Sequence, residues 1–189
     1  MKLAWRALPL AALMLAWGAS GAHELMENRA TLVMRERTHV SMTMYVRYTE
    51  AVHKVLAPHV AYGEFLVAVA SLSPEDFDKQ ITRAHSGLQS DTRVFLAGGQ
   101  ALSFTNWAWP DRATAQRLFQ HRLMEAVVDG SRHHHEEPTE VRGEVVSPAV
   151  ASGLSVEFSK ALGRVLLVWY RPQQAWVDRG RRSQSLRFE

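Results

Sequence analysis

Histidine is the residue type in this sequence whose positions most directly indicate a chemistry. His23 follows small residues in the stretch "GASGAHELMEN", and three further histidines belong to the run "HHHEE" at 133–137. If cleavage made His23 the first residue, its α-amine and its imidazole, with ordinary pKa values of about 8 and about 6.5, would both offer lone pairs to a metal ion near neutral pH. Nitrogen ligands favour copper(II), ahead of nickel(II) in the divalent affinity order.

A second imidazole is needed to complete such a site, and the first two predicted strands limit where it comes from. The start of strand one and the end of strand two share one end of a hairpin, close to His53, whereas His39 lies at the turn, about 25 Å away. His23 is therefore expected near His53, His59 or the 133–135 run. The candidate metal ligands are His23, His53, His133, His134 and His135.

Each of these histidine patterns also has an interpretation without a metal. Signal cleavage must leave some residue first, and a histidine there is usually just exposed. Neighbouring histidines in an extended loop point in different directions, so they rarely close one coordination shell. An exposed N-terminal residue and a solvated loop therefore stand as alternatives, and copper is a candidate cofactor only.

The first 22 residues have the three zones of an export signal. Lys2 and Arg6 flank the start, an apolar run covers 7–17, and the small residues Ser20 and Ala22 lie three and one before the expected cut. The apolar run is shorter than the ~20 residues that span a membrane. We expect a signal peptide at 1–22, a single exported domain at 23–189, location in the periplasm and no membrane span after cleavage.

Charge and composition exclude several classes of function. The formal net charge is +3, of which Lys2 and Arg6 supply two, so no charge argument favours nucleic acid as a partner. The sequence has no cysteine, which excludes disulfides, thiolate zinc sites and cysteine nucleophiles. It also lacks the G-x-S-x-G, H-E-x-x-H and Gly-rich phosphate-binding patterns. These absences favour a non-enzymatic protein.

Periodicity predicts the elements that must position any site. Alternation of apolar and polar residues over 30–46 predicts an antiparallel hairpin around a short charged turn. A helix is predicted after the capping residue Ser73 and the first-turn Pro74, because apolar residues then recur every three or four positions up to Leu88.

The remaining elements are less sharply bounded. Thr49 is expected to cap a short helix, and the run 63–72 is typical of either a buried helix or a buried strand. Gly98 and Gly99 predict a tight hairpin turn. A helix from Asp111 is expected to bury Ala115, Leu118, Phe119, Leu123 and Val127. Short strands are predicted at 139–146, 154–158, 164–170 and 184–188.

The order of these elements indicates a mainly β (α+β) fold. Strands do not alternate regularly with helices, so a doubly wound parallel sheet is not expected. The pattern favours an antiparallel, immunoglobulin-like β-sandwich with inserted helices. The alternative is an open antiparallel sheet with helices on one side.

Tryptophans form two groups that could pack or bind. Trp107 and Trp109, two residues apart before Pro110, should project the same way from an extended segment. Trp169 lies within the apolar run 165–169 and is expected in the core, with Trp176 nearby in sequence. Aromatic groups of this kind can line a groove for a peptide or glycan, although ordinary packing at one end of a sandwich is the commoner arrangement.

The stretch "AHELMENRATLVMRE" resembles the start of the periplasmic domain found on hydrogenase and urease accessory nickel permeases. The matching residues are Ala22, His23, Glu24, Ala30, Leu32, Arg35 and Glu36. The resemblance covers about 15 residues and is interrupted by a short insertion at 26–28, and no multi-span permease segment follows. It implies a free-standing exported domain of that type, associated with metal transport.

Three functional hypotheses follow from the sequence, and the third, copper oxygenase chemistry on a polymer, would use the same His23 anchor. The first is a soluble, periplasmic, non-enzymatic binding or accessory module with an unknown protein or peptide partner. The second is a periplasmic metal-handling protein, copper ahead of nickel, that uses His23 as its anchor.

Overall fold

The computed structural model describes residues 27–128, 136–150 and 152–172 of the chain. Eight β-strands occur within these ranges, in chain order β1 (Asn28–Arg35), β2 (His39–Val46), β3 (Arg93–Leu96), β4 (Ala101–Ser103), β5 (Thr105–Ala108), β6 (Thr139–Val146), β7 (Leu154–Glu157) and β8 (Val165–Tyr170). The same ranges hold four α-helices, α1 (Tyr48–Leu56), α2 (Tyr62–Ala70), α3 (Pro74–Asp91) and α4 (Arg112–Val128), and a 3-10 turn at Lys160–Leu162. The signal-peptide prediction at 1–22 and the strand predicted at 184–188 lie outside the described residues.

The strands form two sheets, a larger one in the order β5-β6-β2-β1-β8 and a smaller one in the order β4-β3-β7. Neighbouring strands are antiparallel except β1 and β8, which pair in parallel with Asn28 opposite Val165. The predicted α+β class is confirmed. The larger sheet is mixed rather than purely antiparallel, because β8 reaches β1 through a long connection and not through a hairpin.

The hairpin predicted over 30–46 is confirmed by the pairing of β1 with β2. Arg35 lies opposite His39 at the turn, and the register continues without interruption to Arg29 opposite Tyr45. Alternate residues face the core, since successive side chains of a strand point to opposite faces. The buried residues of the two strands are Asn28, Ala30, Leu32, Val40, Met42, Met44 and Val46.

Asn28 joins the start of β1 to two other elements. Its Oδ1 accepts a hydrogen bond of 2.8 Å from the backbone amide of Arg47, just before α1. Its Nδ2 donates to the carbonyl oxygen of Leu162, in the 3-10 turn before β8. The side chain is buried, so both bonds satisfy polar groups that would otherwise be costly in the interior.

Helix α1 begins at Tyr48, and the prediction that Thr49 caps it is wrong. Thr49 lies within the first turn, where its own backbone amide needs a partner. Arg47, the residue that precedes the helix, provides no side-chain cap. The ambiguous run at 63–72 is mostly helical and forms the greater part of α2.

The predicted start of α3 is confirmed. The Ser73 hydroxyl accepts a hydrogen bond from the Asp76 amide at 3.1 Å, and Pro74 occupies the first helical position. The predicted apolar face is buried along its whole length, with Phe77, Ile81, Ala84 and Leu88 in the core.

Helix α4 agrees with the prediction in its first three turns only. Asp111 caps it, with Oδ1 accepting from the Thr114 amide at 2.7 Å, and Ala115 and Phe119 are buried. Leu118 and Leu123 are half-buried. Val127, expected in the core, is 70% exposed, because the apolar residues of the last turn extend past the contacts that bury the helix.

Phe119 is the centre of the helical part of the core. Its ring makes edge contacts with Tyr48 of α1, Phe65 of α2 and Phe77 of α3, at centroid distances of 6.3, 6.0 and 5.8 Å. Edge-to-face pairs of this kind stabilise a core beyond the area they bury. One side chain of α4 therefore contacts each of the other three helices.

Candidate functional site

An apolar groove of about 540 Å³ opens where the two sheets meet. Strands β1, β2 and β8 of the larger sheet line one side, and β7 of the smaller sheet lines the other. The apolar lining residues among those described are Leu32, Met34, Val40, Leu154, Val156 and Leu167.

The depth of the groove follows from the exposure of its lining. Leu32 and Val40 are only 2% and 3% exposed, so they form its floor. In β7, Leu154 and Val156 are half-buried while Ser155 between them is exposed. This alternation is that of a strand with one face turned inward, which places both apolar side chains on the groove side.

Trp169, Tyr170 and Arg171 form the rim of the groove on the β8 side. Trp169 is 72% exposed and Tyr170 is 53% exposed. The prediction that Trp169 belongs to the core is therefore wrong. Trp169 pairs with Leu32 of β1, but it lies on the outermost described strand of its sheet and lines the groove.

The polar groups that line the groove are few, and each of them can donate hydrogen bonds. Arg171 is its only charged lining residue within the described ranges, and no carboxylate there accompanies it. No ion pair or hydrogen bond of the Arg171 guanidinium to another described residue is present. Ser152 adds a hydroxyl group to the lining. The site combines an apolar floor with hydrogen-bond donors at its edge.

A second notable arrangement surrounds Glu136, which is 5% exposed. Its Oε1 accepts from the Thr49 backbone amide at 2.8 Å, and its Oε2 accepts from the Thr49 hydroxyl at 2.7 Å. A carboxylate at a helix N-terminus satisfies a free amide and is favoured by the helix dipole. Glu136 thus caps α1 from a distant part of the chain, a role that the sequence pattern does not reveal because 133–137 has the composition of a polar loop.

The carboxylate of Glu136 lies in a network with Tyr62 and Arg122. The Tyr62 hydroxyl lies 2.6 Å from the Thr49 hydroxyl, and Arg122 hydrogen-bonds to Tyr62 and to Glu125. Burial raises the pKa of Glu136, and the Thr49 hydrogen bonds and the Arg122 charge offset this only in part. Burial also raises the pKa of Tyr62.

His85 is half-buried in an aromatic stack and does not belong to a ligand set. Its Nε2 lies 2.8 Å from the Tyr48 hydroxyl, and its ring stacks on Trp109 at a centroid distance of 4.2 Å. Burial lowers the pKa of His85 to about 4. The imidazole is therefore neutral at neutral pH, as its apolar surroundings require.

Trp107 and Trp109 project the same way, as predicted, and their rings stack 5.5 Å apart. Trp107 also makes an edge contact with Phe104, so this pair packs against the core. Neither residue lines the groove. Trp176, the other member of the sequence pattern, lies outside the described residues.

Among the predicted metal ligands, His53 alone falls within the described ranges, since His23 and His133–His135 lie outside them. The His53 ring packs against Tyr62 and Phe65, and its Nε2 donates to the Val60 carbonyl at 2.8 Å. This bond leaves the lone pair of the neutral ring on Nδ1. Within 27–128, 136–150 and 152–172, no three His, Asp or Glu side chains are grouped closely enough to hold a metal ion.

The position of His39 agrees with the predicted geometry of the hairpin. His39 pairs with Arg35 at the turn, the end of the hairpin opposite to Asn28. His59 is exposed after α1, six residues beyond His53. His121 is exposed on α4 beside Glu125. The distance from His23 to any of them stays a prediction.

Comparison with known proteins gives no relative from which to transfer a function. No family model matches the chain, and neither the curated proteins nor the solved structures contain a match. Within the described part of the chain, no helix combines the length and apolar character needed to cross a membrane.

Proposed function

We propose that this protein is an exported, non-enzymatic binding module whose ligand occupies the groove between the two sheets. The observation that carries the proposal is an open apolar groove with a buried floor formed by Leu32 and Val40. Its volume of about 540 Å³ lies within the ~300 to 1,000 Å³ typical of small-molecule sites. Large exposed apolar surface is unfavourable in water, which also favours a ligand there.

The buried carboxylate of Glu136 supports the non-enzymatic part of the proposal. Raised pKa values often occur in active sites. Here, however, both carboxylate oxygens accept hydrogen bonds from Thr49, and Glu136 does not line the groove. The perturbed group therefore has a structural role, which is to cap α1.

Titration with N-phenyl-1-naphthylamine, a neutral probe whose fluorescence rises in apolar surroundings, tests the groove. We expect saturable binding at one site, and we expect Leu154→Trp to abolish it by filling the groove. Val67→Trp is the matched control, because Val67 is 56% exposed on α2 and does not line the groove. Absence of saturable binding, or equal binding by both variants with intact circular dichroism, would contradict the proposal.

The export part of the proposal rests on the pattern of residues 1–22. Lys2 and Arg6, the apolar run and Ser20 and Ala22 support removal of a signal and release into the periplasm. The intact mass of the protein recovered from the periplasm tests this, with His23 expected as the first residue. A mass that retains residues 1–22 would refute it.

For the architecture we propose the immunoglobulin-like sandwich expected from the sequence. It is supported by the shared groove, to which the larger sheet contributes Leu32 and Val40 and the smaller sheet contributes Leu154 and Val156. An experimental structure in which the two sheets do not face each other would exclude it.

Copper binding is a second candidate function, favoured by a convergence at the N-terminus of α1. Asn28, the first residue of β1, accepts from the Arg47 amide, and Glu136, which follows the 133–135 run, accepts from the Thr49 amide. His53 lies one helical turn after Thr49. Asn28 and Glu136, the described residues that contact the start of this helix, are near in sequence to the other predicted ligands. The resemblance to nickel permease domains supports the same general role.

Titration of the chain beginning at His23 with copper(II), followed by electron paramagnetic resonance, tests this second candidate. We expect one stoichiometric site with nitrogen hyperfine structure that is lost in His23→Ala and weakened in His53→Ala. The exposed His121→Ala is the control. Loss only on combined replacement of His133, His134 and His135 would assign the site to that run instead. Absence of a stoichiometric site would refute the candidate.

A further inference from the structure

The groove differs from a purely apolar cavity in the charge at its rim. Arg171 is exposed, lines the groove and has no ion-pair partner among the described residues. No acidic side chain of those ranges lines the groove with it. A guanidinium in this position is a fixed positive charge with several hydrogen-bond donors that no other described residue uses.

The other polar groups of the lining are compatible with the same ligand chemistry. The Ser152 hydroxyl and the Trp169 indole N–H can both donate hydrogen bonds, and both residues line the groove. The floor, in contrast, offers only aliphatic side chains such as Leu32, Val40 and Leu167. A complementary ligand therefore has an apolar body and a head that accepts hydrogen bonds and carries negative charge.

This inference rests on the proposed function: we infer that the groove binds a free amphipathic monoanion, such as a single-chain carboxylate. Its acyl body lies on the floor formed by Leu32 and Val40, and its anionic head lies beside Arg171. The volume of about 540 Å³ favours one chain. A two-chain phospholipid is larger than the groove, so the ligand is a dissolved monoanion and not a membrane surface.

Displacement of N-phenyl-1-naphthylamine by decanoate and by decan-1-ol, below their aggregation limits, tests the inference. The two competitors share their chain and differ in the charge of the head. At low ionic strength we expect Arg171→Gln to weaken decanoate about two- to fivefold, the range of an exposed ion pair, and to leave decan-1-ol unchanged. Arg171→Lys should retain most of the decanoate affinity, and high salt should remove the difference.

The matched control is Arg83→Gln, which removes the same charge from an exposed position on α3 that does not line the groove. Three outcomes would overturn the anion inference: an equal effect of Arg171→Gln on both competitors, no effect on either, or an equal effect of Arg83→Gln. In each case, binding of the neutral probe would leave the proposed function intact. Failure of the neutral probe itself would refute the proposed function. Arg171-dependent sedimentation with anionic phospholipid vesicles, without decanoate binding, would assign the groove to a membrane surface and overturn the inference.

Discussion

The Glu136 carboxylate caps helix α1 through Thr49, accepting from its backbone amide at 2.8 Å and from its hydroxyl at 2.7 Å. The two residues are 87 positions apart in the sequence. The contact holds the chain just before β6 against the first turn of α1. It also gives the helix an N-terminal cap that its neighbouring residues do not supply.

Removal of this cap should destabilise the protein. We expect Glu136→Ala to lower the free energy of unfolding by about 2 to 3 kcal/mol, because a buried amide and hydroxyl lose their acceptor. Glu136→Gln retains an acceptor of the same size without a charge to bury, so it should cost less than about 1 kcal/mol. Urea denaturation measures both. Equal costs for the two variants would show that the hydrogen bonds are not the source of the effect.

The raised pKa of Glu136 predicts a pH dependence with a defined sign. The folded state holds this proton more tightly than the unfolded state, so the group's contribution to stability falls as pH rises above the ordinary pKa of glutamate. We expect the stability of the wild type relative to Glu136→Gln to decrease as the pH rises above about 4.5, the ordinary pKa of glutamate. An increase over this range would mean that hydrogen bonding and Arg122 outweigh burial.

The lowered pKa of His85 predicts a dependence of stability on pH that has the opposite sign. Its folded pKa of about 4 lies below the ordinary value of 6.5, so the unfolded state binds the proton first and stability falls as pH drops from about 6.5 to about 4. His85→Gln should flatten this part of the curve while keeping an acceptor for Tyr48. The exposed His121→Gln should leave it unchanged. Imidazole NMR titration gives the pKa directly, and a value near 6.5 would contradict the partial burial of the ring in the stack.

Gly143 of β6 is expected to resist enlargement. A Cβ atom there would lie 3.3 Å from Trp107 Cε3 and 3.4 Å from Phe104 Cβ. We therefore expect Gly143→Ala to cost about 1 kcal/mol through overpacking. Gly98→Ala is the control, because a methyl group on Gly98 in the turn would have no neighbouring atom within 4 Å. If thermal unfolding shifts equally for both variants, the close approach of Trp107 is not the cause.

The exposure of Trp169 predicts that its substitution affects binding in the groove and not the stability of the fold. Because its side chain is 72% exposed, Trp169→Ala should change the free energy of unfolding by less than about 0.5 kcal/mol while weakening probe binding. Trp107→Ala, which removes a half-buried ring from the core, should cost about 3 kcal/mol. A large loss of stability in Trp169→Ala without a binding defect would return this residue to the core.

The elements that could be predicted are those whose signals are local. The hairpin of β1 and β2 follows from alternation, and the start of α3 follows from Ser73 and Pro74, since capping and periodicity act within a few residues. The contact of Glu136 with Thr49 joins distant segments, and nothing in either segment specifies the other. From its neighbouring residues alone, Glu136 is therefore predicted to lie in a polar loop and not to be buried.

The groove could not be predicted for a related reason. Trp169 follows four apolar residues and has the composition of a buried strand, but burial depends on what packs beside it. β8 pairs with β1 at one edge and has no described neighbour at the other. The parallel pairing of Asn28 with Val165 has no counterpart in the hydrophobic pattern, so neither the edge position nor the groove beside it was foreseeable.

The parallel pair of β1 and β8 also sets an order of events in folding. The first and last described strands can meet only after the intervening chain has been positioned, and such non-local pairings form slowly because the loop entropy is lost before the contact is gained. The hairpin of β1 and β2 has no such delay. Since Leu167 and Trp169 of β8 line the groove, probe fluorescence during refolding should appear after the helical circular dichroism signal and report the completion of the sheet.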